Sequence, residues 1–354
     1  MEDSCFTILP RITKRTSVRI CGCTWMSNSQ LKTVKEFLRL QHNFAAYHVA
    51  KTAGRLGILS ALDSGQKTAE ELAQQLGLHG DATEMLLFAL CECGLAEHYG
   101  DLFALSPSAR MFADKLTLED AYWTRLDEFV RTGSAPRYSD VSPEGEQYPL
   151  ETILLQRHAW MQTPAAMDAA EVLDIGRSRR GLRILELGGG HSIFSAALAH
   201  RDPDSRVTII DEPIGLIGAK ETVSSIGLEN QFDFVEGDWR SAQVKIANFD
   251  LVVIAGRMHG LPPAECQRII QTVVTSMLSP TGELVVVDVF RGQPEGSRTI
   301  AFFELELGLS DRPGPMHRPQ SIRTWLQESG LSQVRYAHLP SPPHVWGLIL
   351  AQRS

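Results

Sequence analysis

Three carboxylates fall at the ends of successive apolar runs, and the first of them leads into a glycine turn. Arg183-Ile-Leu-Glu-Leu187 runs directly into Glu186-Leu-Gly-Gly-Gly190. Glycines there let the backbone turn sharply and approach a ligand closely at the start of a helix. Asp211 ends the next run, Arg206-Val-Thr-Ile-Ile-Asp211, where a carboxylate can accept both ribose hydroxyls. Asp238, in Glu236-Gly-Asp-Trp239, follows Phe232-Asp-Phe-Val235. It is placed to accept from an adenine amino group, with Trp239 beside the ring. The turn is not GxGxxG, and no P-loop lysine follows it. A single acid of this kind serves equally well as a helix cap or a solvated loop residue. Three in order, after a glycine turn built around Glu186, Gly188 and Gly190, mark an adenosine pocket.

Such a pocket requires strands whose carboxyl ends share one edge. After Gly181 the sequence alternates accordingly. Strands at 183–187, 206–211, 232–235, 249–255 and 283–288 are separated by helices at 193–200, 214–225 and 262–278. Two closing strands, 333–337 and 345–351, bring the count to seven. Continuous apolar strands alternating with helices predict an α/β, doubly wound, mostly parallel sheet of Rossmann-like type.

The N-terminal half has a different rhythm. Residues 31–62 are helical in pattern, with Phe44, Val49, Ala53, Leu56 and Leu59 at helix spacing. Thr68 and Glu71 form a capping box, and Gly77 ends that helix. Asp81 is the expected cap of the next helix, which runs to about Cys93. Residues 96–105 read as a hairpin turning at Gly100-Asp101. This is the winged-helix order. DNA binding is disfavoured, because the second helix carries Asp81, Glu84 and Glu92 and no Lys or Arg, whereas phosphate contacts need cations. The expected domains are thus a winged-helix-like, mostly α-helical unit over 31–116, a helical linker over 117–178 and a Rossmann-like unit over 179–354. Residues 1–30 are an extension expected to be disordered, or not native if translation starts at Met26. Arg11, Lys14, Arg15 and Arg19 make its start basic, and it lacks the apolar core of a secretory signal.

Composition sets the remaining bounds. The 354 residues are 43% hydrophobic and 21% charged, with a formal net charge of −8. No apolar run approaches the ~18 residues of a membrane span. An acidic chain argues against nucleic acid as a partner. The six cysteines form neither paired CxxC motifs nor a disulfide framework, and Cys91 and Cys93 read as buried free thiols. A reducing, cytoplasmic setting fits them. No membrane partner and no metal ion are expected.

Taken in order, these motifs resemble the S-adenosylmethionine-dependent O-methyltransferase family of plant caffeate-type and bacterial polyketide and hydroxyneurosporene-type enzymes. The resemblance runs from about Leu31 to the C-terminus. It rests on the helical N-terminal domain, Trp123 with Arg131-Thr-Gly133, Glu186–Gly190, Asp211-Glu-Pro213, Glu236-Gly-Asp238, Met258-His259 and Pro280-Thr-Gly-Glu-Leu-Val-Val-Val-Asp288. It implies S-adenosyl-L-methionine as cofactor, a homodimer made through the N-terminal domain and a hydroxylated small-molecule acceptor, whether aromatic, polyketide or isoprenoid. His259 falls at the family's catalytic base, with Asp288 as its supporting carboxylate. Met161 and Phe303 fall at the acceptor pocket, near Trp160 and Phe302. The chemistry is in-line methyl transfer from sulfonium to oxygen, in which the protein aligns the reactants and removes a proton.

The sequence departs from the family pattern at several positions. His191-Ser192 replaces Thr-Gly after the glycine turn. Gly260 and Leu261 replace the Asp and Trp after the catalytic histidine. Asp288 replaces a glutamate, and the family's second supporting glutamate falls near His317, so a carboxylate is lost there. Two further readings therefore accompany the enzyme: a cofactor-binding relative with altered or lost methyl transfer, and a winged-helix regulator.

Overall fold

The computed structural model describes residues 28–110, 123–134, 159–241, 248–293, 296–309, 314–342 and 345–353. The sequence's basic N-terminal extension and residues 117–122 and 135–158 of its expected linker lie outside them. Among the described residues no helix is long and apolar enough to cross a membrane. The chain divides into two compact units, Met1–Ser106 and Pro107–Ser354.

The first unit comprises α1 (Asn28–Arg55), α2 (Ile58–Asp63), β1 (Lys67–Thr68), α3 (Ala69–Leu76), α4 (Gly80–Glu92), β2 (Ala96–Tyr99) and β3 (Leu102–Leu105). Gly57, at φ +77°, breaks the expected 31–62 helix into α1 and α2. The capping box forms as predicted. Glu71 N–H donates to Thr68 Oγ1 at 3.1 Å, and Thr68 N–H donates to Glu71 Oε2 at 2.8 Å. Asp81 is not the cap of α4. His79 holds that position without a side-chain bond, and Asp81 lies in the first turn, where its charge still suits the helix N-terminus. The hairpin is β2–β3, and β1 pairs with β3 to give a three-stranded antiparallel sheet. Two residues are too few to show a period, so β1 left no trace in the sequence. Cys91 and Cys93 are free but only half-buried, because α4 leaves that side partly open.

The second unit holds α5 (Leu126–Thr132), a 3-10 turn at Trp160–Gln162, α6 (Thr163–Val172), β4 (Arg183–Leu187), α7 (Ile193–Arg201), β5 (Arg206–Asp211), α8 (Pro213–Ser225), β6 (Phe232–Glu236), β7 (Phe249–Ala255), α9 (Pro263–Ser276), β8 (Leu278–Val289), α10 (Ser297–Leu309), α11 (Pro319–Glu328), β9 (Gln333–His338) and β10 (Trp346–Gln352). The seven strands lie in the order β6-β5-β4-β7-β8-β10-β9. The first five are parallel; β10 is antiparallel to both β8 and β9. Strand alternation fills both faces. Ile184, Val207, Ile209, Leu251, Val253, Val285 and Val287 pack with α6, α7 and α8. Leu185, Leu187, Ile210, Val252, Ile254, Leu284 and Val286 pack with α9 and α11. Burial on both faces is what made these strands continuous apolar runs.

Candidate cofactor and catalytic site

The site residues gather at the carboxyl ends of β4, β5, β6, β7 and β8, the edge where an open α/β sheet binds ligands. Glu186 shares its face of β4 with Ile184, which directs its carboxyl toward α7 and buries it. Burial pushes this carboxyl up to about 7. Ser195, Ser192 and the Arg257 cation pull it partly back, and the Asp211 carboxylate pushes it further up. Glu186 Oε2 and the two serine oxygens have no well-aligned hydrogen-bond partner.

Gly188 and Gly190 adopt φ of +66° and +56°. A Cβ on Gly188 would stand 2.7 Å from the Trp239 ring, so the indole lies directly against the turn. Trp239 is buried. Asp211 is buried at the end of β5. Its Oδ2 accepts the Gly190 N–H at 2.8 Å and its Oδ1 accepts the Glu212 N–H at 2.8 Å. The carboxylate thereby ties the end of β5 to the glycine turn. Asp238 is more exposed than the other two acids. Its Oδ1 accepts the Arg240 N–H at 3.0 Å and lies 3.8 Å from the Arg240 guanidinium.

Ser192 sits at φ +52°, ψ +33°, a left-handed conformation for a residue with a Cβ. His191 packs its ring against Gly218 of α8. Burial holds this imidazole below its ordinary range.

His259 follows β7, and its Nδ1 lies 2.5 Å from Asp288 Oδ1. Asp288 is the penultimate residue of β8, on the face shared with Leu284 and Val286. Its Oδ2 accepts N–H groups from Met258 (2.9 Å) and His259 (3.1 Å), and its Oδ1 accepts that of Val289 (2.7 Å). The bond to Asp288 leaves Nε2 as the imidazole nitrogen able to accept a proton. Phe303 of α10 packs edge-on against this ring at 5.2 Å. Met161 is half-buried on the 3-10 turn, which packs on α6 and α7.

His317 is buried, with Nε2 3.0 Å from the Leu261 carbonyl and 3.4 Å from Cys266 Sγ. Burial holds it below its ordinary range. Burial also pushes the Cys266 thiol up to about 12, with Asp288 and Glu265 adding to the rise. Among the described residues no three His, Cys, Asp or Glu side chains converge as a metal site.

Two residues escaped the sequence reading. Arg257 hydrogen-bonds the Gly188 carbonyl through Nε, and its Nη2 lies 3.6 Å from Asp211 Oδ2. Gln293 is buried beyond β8 with neither amide atom hydrogen-bonded. No local pattern marks either one, because each sits in an irregular loop.

The whole arrangement matches a known family. An O-methyltransferase domain model matches residues 123–332, and an O-methyltransferase dimerisation domain model matches residues 38–115.

The chain belongs to the O-methyltransferase family.

Among curated members, the mitomycin biosynthesis 6-O-methyltransferase of Streptomyces lavendulae is 26% identical, over 86% of this chain and 90% of its own length. The structure of the mitomycin 7-O-methyltransferase MmcR superposes with a TM-score of 0.71 at 21% identity, covering 92% of this chain and 99% of that one. Human N-acetylserotonin methyltransferase, solved in complex with S-adenosylmethionine, superposes with a TM-score of 0.68 at 18% identity, over 93% of this chain and 100% of that one. The O-methyltransferase pair of domains thus accounts for both compact units.

Proposed function

We propose that this chain transfers a methyl group from S-adenosylmethionine to a hydroxyl group of a small aromatic, polyketide or isoprenoid acceptor, with His259 as general base. The observation that carries the proposal is the His259–Asp288 pair, placed on the same sheet edge as the glycine turn and its acids. Those acids suit the cofactor's chemistry. Asp211 meets the demand of ribose hydroxyls, and Glu186 is a buried carboxyl close to the glycine turn. Asp238 and the Trp239 face suit adenine. Gly188 and Gly190 carry no side chain, so groups can come close to the backbone of the turn.

The cofactor supplies an already activated methyl group, so the protein has to align, dry and deprotonate the acceptor. Asp288 accepts a hydrogen bond from the Nδ1–H of His259 and so fixes its tautomer. Nε2 is then free to take the acceptor's hydroxyl proton. Phe303 orients the imidazole from the side, and Phe303 and Met161 are the proposed acceptor walls. The enzyme works as a homodimer in the cytoplasm, where its thiols stay reduced.

Cofactor binding without O-methylation is the second reading. His317 favours it, since that side chain is spent on Leu261 and Cys266 and brings no carboxylate to the pair. Calorimetry with S-adenosylmethionine, followed by methyl transfer over a panel of phenols and hydroxylated polyketides, separates the two. Asp211→Ala should weaken cofactor binding roughly 10- to 100-fold, the worth of hydrogen bonds to a charged acceptor. Undiminished binding by that variant would remove Asp211 from the site.

A further inference from the structure

Arg257 is the second residue beyond β7, and β7 lies beside β4 in the sheet. From there its side chain reaches across the carboxyl end of β4 toward β5. One guanidinium meets three of the groups assigned above to the nucleoside. It bonds the carbonyl of Gly188 in the turn. It stands 3.6 Å from Asp211 Oδ2. It lies 5.9 Å from the centre of the Trp239 ring. A Cβ on Gly190 would come within 2.8 Å of Arg257 Nη2, so the fork also rests on the second glycine. Glycine is useful in this turn because a ligand can approach its backbone, and that approach is filled by the protein's own cation.

Asp211 has little capacity left over. Each of its oxygens already accepts one backbone N–H, from Gly190 and Glu212. The remaining acceptor positions are the ones a ribose needs, and Arg257 stands over Oδ2. Ribose hydroxyls and the guanidinium therefore compete for one carboxylate.

We propose that Arg257 is an affinity-determining residue of the cofactor site: its guanidinium occupies the nucleoside's place on Asp211 and the glycine turn, and the ligand binds by displacing it. This rests on the nucleoside reading of Asp211 given above. The Arg257 side chain is 31% exposed and that of Asp211 is 5% exposed. Exposed pairs are worth about 0.2–1 kcal/mol; with Asp211 buried this one belongs in the upper part of that range, about 0.4–1 kcal/mol, so the competition lowers affinity by about two- to five-fold. Being an ion pair, it also weakens as salt is raised.

The test uses the full-length chain and S-adenosylhomocysteine, whose sulfur is uncharged. Its affinity is measured by calorimetry for the wild type, Arg257→Met and Arg257→Lys, with thermal melts to confirm that each is folded. Arg257→Met should bind about two- to five-fold more tightly, with Arg257→Lys between it and the wild type. Raising salt from about 0.05 to 0.5 M, which shortens the screening length to a few ångströms, should tighten binding by the wild type and leave Arg257→Met nearly unchanged. Weaker binding by Arg257→Met, restored in Arg257→Lys, would overturn the proposal and make the cation a direct ligand contact. Equal affinities, or a wild type indifferent to salt, would overturn it as well. Failure of every form, wild type included, to bind at millimolar ligand would instead remove the nucleoside reading on which it stands.

Discussion

Asp288 grips His259 twice, through the ring Nδ1 at 2.5 Å and through the backbone N–H at 3.1 Å. The same carboxylate also holds the N–H groups of Met258 and Val289. It therefore orients the imidazole and also fastens the turn after β7 to the end of β8. The two roles separate on mutation. His259→Ala should lower kcat by about 10²–10⁴-fold and leave cofactor affinity nearly intact. Asp288→Asn should in addition destabilise the fold by about 1–3 kcal/mol, because an amide has only one acceptor oxygen and turns its NH2 toward buried donors. Rates, cofactor titrations and urea unfolding of both variants check this. Wild-type turnover by His259→Ala from pH 6 to 9 would place the base elsewhere.

Glu186 should make stability depend on pH in an unusual direction. Its carboxyl is raised from 4.5 to about 7 in the folded protein, chiefly by burial. The folded state therefore keeps a proton that the unfolded chain releases above pH 4.5. Glu186's contribution is fully present below pH 4.5 and is lost as pH rises through 7. Relative to Glu186→Gln, the wild type should lose up to about 3 kcal/mol between pH 4.5 and pH 8, by the linkage of about 1.4 kcal/mol per unit. Denaturant melts of both proteins at pH 5 and pH 8 read this difference directly. A constant gap would mean that Glu186 ionises freely in the fold.

The sequence showed the sheet clearly because its strands are buried on both faces and its helices carry punctuation. Pro213 and Pro263 open α8 and α9, and Gly77 closes α3. β8 was read short. The structure carries it back through Pro280-Thr281-Gly282 to Leu278, where Phe249 pairs before the register shifts. Pro and Gly punctuate turns locally, but here tertiary pairing overrides them. The acids at the strand ends were legible as types, while their surroundings were not. Asp211 and Asp238 look alike in the chain, yet one is buried on the glycine turn and the other is largely exposed beside Arg240. Arg257 left no signal at all, because the partners that define it come from β4, β5 and the loop after β6.

Ser192 gives a test of backbone strain at the turn. Its φ of +52° is a conformation that costs a residue bearing a Cβ about 1–2 kcal/mol. Ser192→Ala and Ser192→Gly both remove the hydroxyl next to Glu186, so comparing them isolates the backbone. Ser192→Gly should unfold at a higher temperature than Ser192→Ala and be more stable by about 1 kcal/mol. The glycine's greater freedom in the unfolded chain offsets part of the relief. If the alanine variant is the more stable of the two, the left-handed conformation is not present in solution.

The helix α1 opens the unit that matches the dimerisation domain. Phe37, Leu40 and Phe44 are 60%, 63% and 67% exposed. Their spacing of three and four residues puts them on one stripe of the helix. Large apolar side chains left together in water mark an interaction surface, and the match of residues 38–115 to a dimerisation domain points to a second copy of this chain as its partner. Each of these side chains contributes about 1.5–3 kcal/mol when fully buried, and a charge in its place would have to be desolvated without a partner. In a symmetric dimer the substitution acts on both protomers at once. Phe44→Glu should therefore raise the dissociation constant by several orders of magnitude, while far-UV circular dichroism stays that of the wild type, since the ring is mostly exposed and its aromatic neighbour, His48, lies on the same helix. Sedimentation velocity at micromolar concentration distinguishes the outcomes. A wild-type monomer, or a Phe44→Glu dimer as tight as the wild type, would show that this stripe is not the dimer interface.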